Sequence, residues 1–265
     1  MVSASQMPLA TRCRRSVTLR AEANSGGNSR TLWGRAVHRA LENRVKNIQN
    51  SPAALTAEFG LPEAEAQDAI ALVETFSFDA PVAAEVDLAI DVSGNAVSRF
   101  VGGQPNPAAI LAGRLDLLTL PPNDPTLAYA DDCKTGSPDG EFDYRPQLLA
   151  QAVLVLGNYP AVETVLARTL HPGHQAVGQT VELKRENLPW VLEGMVRVAA
   201  EAASGNPEAT TGSWCGYCEP AACPAWQSKL SLVTRPHTVE LTVERLSELL
   251  PVDRKSTRLN SSHTV

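Results

Sequence analysis

The chain has 265 residues, 43 % of them apolar, and a formal net charge of −6. That length and composition can bury one sizeable core, and with no apolar run of eighteen residues a helical membrane span is excluded. Five cysteines, three of them clustered, fit a reducing compartment and a metal site better than a disulfide framework.

The charge is uneven along the chain. Residues 1–50 carry nine Lys or Arg against two Glu, whereas residues 51–90 carry no Lys or Arg. A basic N-terminal face can track phosphates; a solvated helix face is the plain alternative. The opening MVSASQMPLATRCRRSV lacks the apolar stretch of a secretory signal.

In chain order, Ser3–Arg20 reads as a short helix or helical turn holding Cys13 in a basic setting, and Ala23–Arg30 as a loop. Thr31 is expected to cap a helix running to Ile48, with Leu41, Val45 and Ile48 on one face and His38 one turn after Gly34. Ser51–Phe76 is a second helical region, its main helix opened by Pro62. Val82–Val92 alternates as a strand, with Glu85 and Asp87 on the face opposite Val86, Leu88 and Ile90. A turn at Ser93–Asn95 leads to a short strand over Ala96–Val101.

Two further strands, Ile110–Leu120 and Thr126–Lys134, flank Pro121-Pro122-Asn123-Asp124-Pro125, which cannot be helical. Tyr144–Leu156 reads as a helix with Pro146 in its first turn, Val162–Leu170 as a strand and Val181–Lys184 as a short edge strand. Leu188–Ala203 is a final helix, and His171 and His174 flank Pro172-Gly173 in what reads as an exposed, inert loop. Strands with intervening helices indicate an α/β domain.

The chemistry concentrates at Asp116, Asp132 and Lys134. Alternation puts Asp132 and Lys134 on one face of their strand and Cys133 on the other, with Asp116 arriving from the neighbouring strand. Two acids converging with a lysine suit metal-assisted hydrolysis of a phosphodiester: carboxylates hold hard cations, and the lysine orients water or neutralises developing charge. Taken alone, a D-x-K is more often an ordinary hairpin ion pair.

Trp214–Trp226 holds Cys215, Cys218 and Cys223 in a C-x2-C-x4-C array, for which Cys13 is the remaining thiolate, Cys133 lying in a core strand. Zinc and an iron–sulfur cluster fit that spacing equally.

Together these motifs resemble the PD-(D/E)xK nuclease superfamily, in particular the RecB-type exonucleases of the phage-associated branch that carries an AddB-like iron–sulfur cluster. GRAVHRALE looks like the family's G-x-x-x-H-x-x-x-E helix, GRLDLL like its first acidic strand, DDCKTG like its D-Y-K-T-G strand, and YRPQLLAQ like the helix that follows. The resemblance implies an α/β, restriction-endonuclease-like core, a central mixed sheet flanked by helices, with a four-cysteine cluster joining the terminal segments. It implies that His38, Asp116 and Asp132 hold Mg2+ or Mn2+, with Glu85 as a further candidate. Asp116, Asp132 and Lys134 would be catalytic, Gln147 and Tyr144 would bind DNA or order the site, and Cys13, Cys215, Cys218 and Cys223 would hold a 4Fe–4S cluster. Gln151 stands where the family often has tyrosine, and Asp131 should point away from the metal.

The implied protein is a metal-dependent DNA exonuclease of phage recombination or end processing, working in the cytoplasm of a bacterial host with DNA, and with a phage recombinase or annealing protein as partner and no membrane. Rival readings are a non-catalytic DNA-binding accessory protein on the same fold and a zinc-stapled interaction module. The nuclease domain is expected over residues 1–230 and the start of a cut-off helical segment over 231–252, while 253–265 resembles translated sequencing-adapter DNA.

Overall fold

The computed structural model describes residues 1–22, 29–77, 82–140, 142–204, 207, 209–212, 214, 215, 218, 223 and 225. The expected helical segment at 231–252 and the adapter-like stretch lie outside the described residues, as does most of the loop expected at Ala23–Arg30.

The described elements are β1 (Val2–Ser3), α1 (Met7–Ala10), α2 (Arg15–Glu22), α3 (Ser29–Val45), α4 (Pro52–Phe59), α5 (Glu63–Glu74) and β2 (Val82–Ile90), followed by β3 (Phe100–Val101), β4 (Gln104–Pro105), β5 (Leu111–Thr119) and β6 (Leu127–Cys133). Then come α6 (Arg145–Asn158), β7 (Thr164–His171), β8 (Ala176–Lys184) and α7 (Leu188–Ala203). A six-stranded mixed sheet runs in the order β1-β5-β6-β7-β8, with β2 pairing β5. β2 is antiparallel to β5 along its length, β5 antiparallel to β6, β6 parallel to β7, and β7 antiparallel to β8.

Helix α6 is the crossover that a parallel β6–β7 pair requires. Nine of its residues, Gln147, Leu148 and Ala150–Leu156, are buried, because it lies between the sheet and α1 and α7. A helix apolar on almost every side is stable only when enclosed. Gly157 permits its approach to β2: a Cβ there would stand 2.6 Å from Ile90 Cγ2 and 2.7 Å from the Gly94 carbonyl oxygen. On the opposite face of the sheet, α3, α4 and α5 bury Val37, Leu41, Leu55, Phe59 and Val73 against Leu117, Cys133 and Leu170.

The helix expected from Thr31 to Ile48 starts at Ser29 and stops at Val45. Asn47 adopts φ 56° and the Ile48 amide returns to the Asn43 carbonyl, a left-handed closure that turns Ile48 out to solvent. The expected strand at Ala96–Val101 reduces to one bridge, Ile90 to Ala96, and a two-residue hairpin between β3 and β4 over Gly102 and Gly103, both at positive φ. The edge strand expected at Val181–Lys184 begins five residues earlier, at Ala176. The two-residue β1, parallel to the start of β5, has no alternation to announce it.

Candidate active site

Adjacent strands deliver the acids in register. Between the pairs Ala84–Leu117 and Val86–Leu115, Glu85 stands opposite Asp116. One step beyond the pair Leu117–Asp131, Asp116 stands beside Asp132, and Asp132 pairs in turn with Thr169 of β7. Alternation breaks along this row: Leu115 and Leu118 pack toward α6, whereas Leu117 packs toward α3 and α5. Opposite the break, Glu85 takes φ 54°, a strained conformation for a side chain other than glycine or asparagine.

Helix α3 sets His38 against this row. Its Nδ1 is 3.2 Å from Asp116 Oδ1 and its Nε2 3.0 Å from the carbonyl oxygen of Cys133. A nitrogen facing a carbonyl must donate, so Nε2 carries a proton and Nδ1 is the nitrogen left to face a carboxylate or a cation. Ligand atoms of His38, Glu85 and Asp116 lie within 4.8 Å of one another. One imidazole nitrogen and two carboxylates are a donor set that fits Mg2+ or Mn2+.

Asp116 is held ionised. Burial opposes its charge, but His38, Lys134 and the Cys133 amide, which donates to Oδ2 at 2.7 Å, keep its carboxyl below the usual range. For His38, burial disfavours the cation, yet Asp116 beside it raises the imidazole pKa from 6.5 to about 9. Burial, with the Asp116 charge added, raises Glu85.

Asp132 is drawn toward α6 instead. Its Oδ1 accepts from Gln147 Nε2 at 2.7 Å and Gln151 Nε2 at 3.2 Å, while Oδ2 pairs with Lys134 Nζ. Burial raises its carboxyl pKa and Lys134 opposes that rise. The Lys134 ammonium lies 4.6 Å from the centroid of the Tyr144 ring, so Tyr144 touches the site through a cation–π contact. Asp131 points away into a two-pronged pair with Arg168 at 2.7 and 2.8 Å, and Cys133 is buried toward α3 and α5.

His38, Glu85 and Asp116 open onto a cleft of about 490 Å³ whose walls include Arg35, Arg39, Arg114 and Phe59. Arg114 binds Glu85 and Asp87, and Arg39 binds Glu42 and Glu58. Cys13, Cys215, Cys218 and Cys223 line one small separate cavity with Leu9, Leu19 and Trp214. Next to it, Arg12 pairs with Asp143 at 3.3 Å, linking that cavity to the segment that carries Tyr144.

One residue falls elsewhere than the sequence suggests, and another gains a contact. His171, expected in solvent, is 3 % exposed: its Nδ1 lies 2.8 Å from the Gly136 carbonyl oxygen and its Nε2 3.2 Å from Thr169 Oγ1. The space exists because Gly178 of β8 has no side chain; a Cβ there would stand 2.5 Å from Thr169 Oγ1. His174 is exposed, as expected. Gln151, which the motif comparison left without a role, shares Asp132 with Gln147; its spacing of four residues on an otherwise apolar helix face was the available signal.

Among curated proteins, nothing matches this sequence. A solved structure described as "Crystal structure of SSO0001" is similar over 84 % of this chain and 85 % of that one, at 17 % identity and a TM-score of 0.45. The family model of the PD-(D/E)XK nuclease superfamily matches residues 1–224, a span that includes His38, Glu85, Asp116, Asp132 and Lys134. This chain therefore belongs to the PD-(D/E)XK nuclease superfamily.

Proposed function

We propose that the chain is a divalent-metal-dependent deoxyribonuclease, acting as an exonuclease in phage or prophage recombination or DNA end processing in the cytoplasm of a bacterial host. The observation that carries this reading is the convergence of His38, Glu85 and Asp116 within 4.8 Å, beside the Asp132–Lys134 pair, in a cleft walled partly by arginines.

His38, Glu85 and Asp116 would hold Mg2+ or Mn2+, with Asp132 adjoining from the next strand. Bound there, the ion would supply Lewis-acid polarisation of the phosphoryl group and a more acidic water. The Cys133 carbonyl fixes the His38 ring so that Nδ1 faces the site. Lys134, neutralised by Asp132 in the resting site, supplies positive charge where negative charge develops on the phosphate. Arg35 on the cleft wall, over the Phe59 ring, would meet the DNA backbone, while Arg39 and Arg114 are held by carboxylates of the same region. A phage recombinase or annealing protein is the proposed working partner.

Cys13, Cys215, Cys218 and Cys223 would hold a 4Fe–4S cluster, with Zn2+ as the alternative, fastening the N-terminal segment to the segment after α7. Their lining of a common cavity supports this. Visible absorption separates the two: the cluster is brown and zinc is colourless.

The test is cleavage of end-labelled linear and closed circular DNA with Mg2+, Mn2+ or EDTA, using anaerobically purified protein. Metal-dependent loss of linear DNA with the circle spared is expected. Asp132→Ala and Lys134→Ala should each abolish cleavage while folding persists; unchanged cleavage in either removes the assignment.

A further inference from the structure

We infer that Gln151 is a positioning residue for Asp132, a role that rests on the nuclease reading above. Gln147 and Gln151 stand one helical turn apart on α6 and donate their side-chain amides to the same oxygen, Asp132 Oδ1. Both are sealed from solvent, Gln147 at 6 % exposure and Gln151 at 1 %, and Asp132 at 4 %. Leu148, Val153, Leu154 and Val155 of the same helix are fully buried and apolar. A glutamine in such company has a high desolvation cost and is retained where its hydrogen bond is used.

The geometry says what the bond does. A carboxylate on a single short bond turns about its Cβ–Cγ axis; two amides on one oxygen, arriving from successive turns of a rigid helix, fix that rotation. Oδ1 is then occupied, and Oδ2 is the oxygen turned toward Lys134. Gln147 and Lys134 already hold one oxygen each, and Gln151 adds a second donor on Oδ1. That second donor reinforces the orientation in which Oδ2 meets the lysine and the reacting groups.

Its own amide oxygen is buried without a hydrogen-bond partner. An apolar side chain of the same size would spare the core that unpaired carbonyl, so packing alone does not call for an amide here. The residue therefore serves the carboxylate more than the core.

The decisive variant is Gln151→Met, nearly isosteric and without the donor, compared with wild type and Gln151→Glu. Mn2+ affinity is measured by calorimetry, and kcat and KM on linear DNA with Mn2+ are measured alongside thermal melting. Loss of a group that orients a metal-site carboxylate typically costs about 10–100-fold in affinity or activity. Gln151→Met is expected to lower kcat about 10-fold or more and weaken Mn2+ binding, with KM for DNA within about twofold and the melting point little changed. Gln151→Glu, which sets a carboxylate against Asp132, should be slower still.

A Gln151→Met protein that matches wild type in kcat and Mn2+ affinity overturns the proposal and leaves the nuclease reading intact. A variant that loses activity only in proportion to a fall in folded fraction also overturns it, the role then being structural. Wild-type protein that neither binds Mn2+ nor cuts DNA removes the nuclease reading, and the proposal with it.

Discussion

The coupling between His38 and Asp116 makes the stability of the metal-free protein fall with rising pH over a defined window. The folded-state pKa of His38, about 9, lies above its ordinary 6.5, because the neighbouring Asp116 carboxylate outweighs burial. The group binds its proton more tightly folded than unfolded, so its contribution is fully present below pH 6.5 and is lost as pH rises from there through about 9. At about 1.36 kcal/mol per pH unit the ceiling is about 3.4 kcal/mol. The His38 side chain is 32 % exposed, and solvent screening reduces this to about 1–2 kcal/mol. For a domain of this size that corresponds to a melting point lower by about 3–6 °C at pH 9.5 than at pH 6. The assay is thermal melting in EDTA across that range, with His38→Gln as comparator, since glutamine retains a donor for the Cys133 carbonyl but does not titrate. An equal slope in the two proteins would refute the coupling. Saturating Mn2+ should flatten the wild-type slope, because a cation takes the place of the proton between the same groups.

Glu85→Gln is expected to weaken Mn2+ binding about 10-fold in calorimetry, since one of two carboxylates facing His38 Nδ1 loses its charge. Gly157→Ala should cost about 1–3 kcal/mol in denaturant unfolding, because its Cβ would meet Ile90 and the Gly94 carbonyl well inside contact distance. Arg168→Leu leaves Asp131 buried without its cation and should cost about 3–5 kcal/mol by the same measurement, while Arg168→Leu/Asp131→Leu together should recover most of that loss.

Most of the site can be read from local pattern. Strand alternation alone puts Asp132 and Lys134 on one face and Asp131 and Cys133 on the other, and a four-residue helical step puts Gln151 beside Gln147. What escaped depends on other parts of the chain. Glu85 and Asp87 look equivalent in sequence; Arg99 and Arg114 both hold Asp87, whereas Glu85, which Arg114 also touches, lies at the backbone distortion with its carboxylate near His38 and Asp116. His171 follows a strand and precedes Pro-Gly, which reads as a loop, and only the missing side chain of Gly178 on the next strand gives its ring a place. The early end of α3 follows from a left-handed Asn47, a choice that helical periodicity does not register.

Asp116 and Asp132 are neighbours across two strands, and burial with a like charge so placed pushes one carboxyl pKa up, here that of Asp132. The fold sets which acid stays charged by giving each its own partners from opposite faces of the sheet. On the α3 side, His38 and the Cys133 amide hold Asp116 ionised. On the α6 side, Lys134 and the two glutamines hold Asp132, whose carboxyl burial keeps less acidic. Environments that push two adjacent carboxyls apart give them different tasks. On the proposed nuclease reading, Asp116, charged and facing His38 and Glu85, would be the main anion for the cation, and Asp132, tied to the lysine, would adjoin that cation and meet the water and the scissile phosphate. The two helices that flank the sheet thus divide the site between them, and a substitution on one should leave the acid held by the other in place.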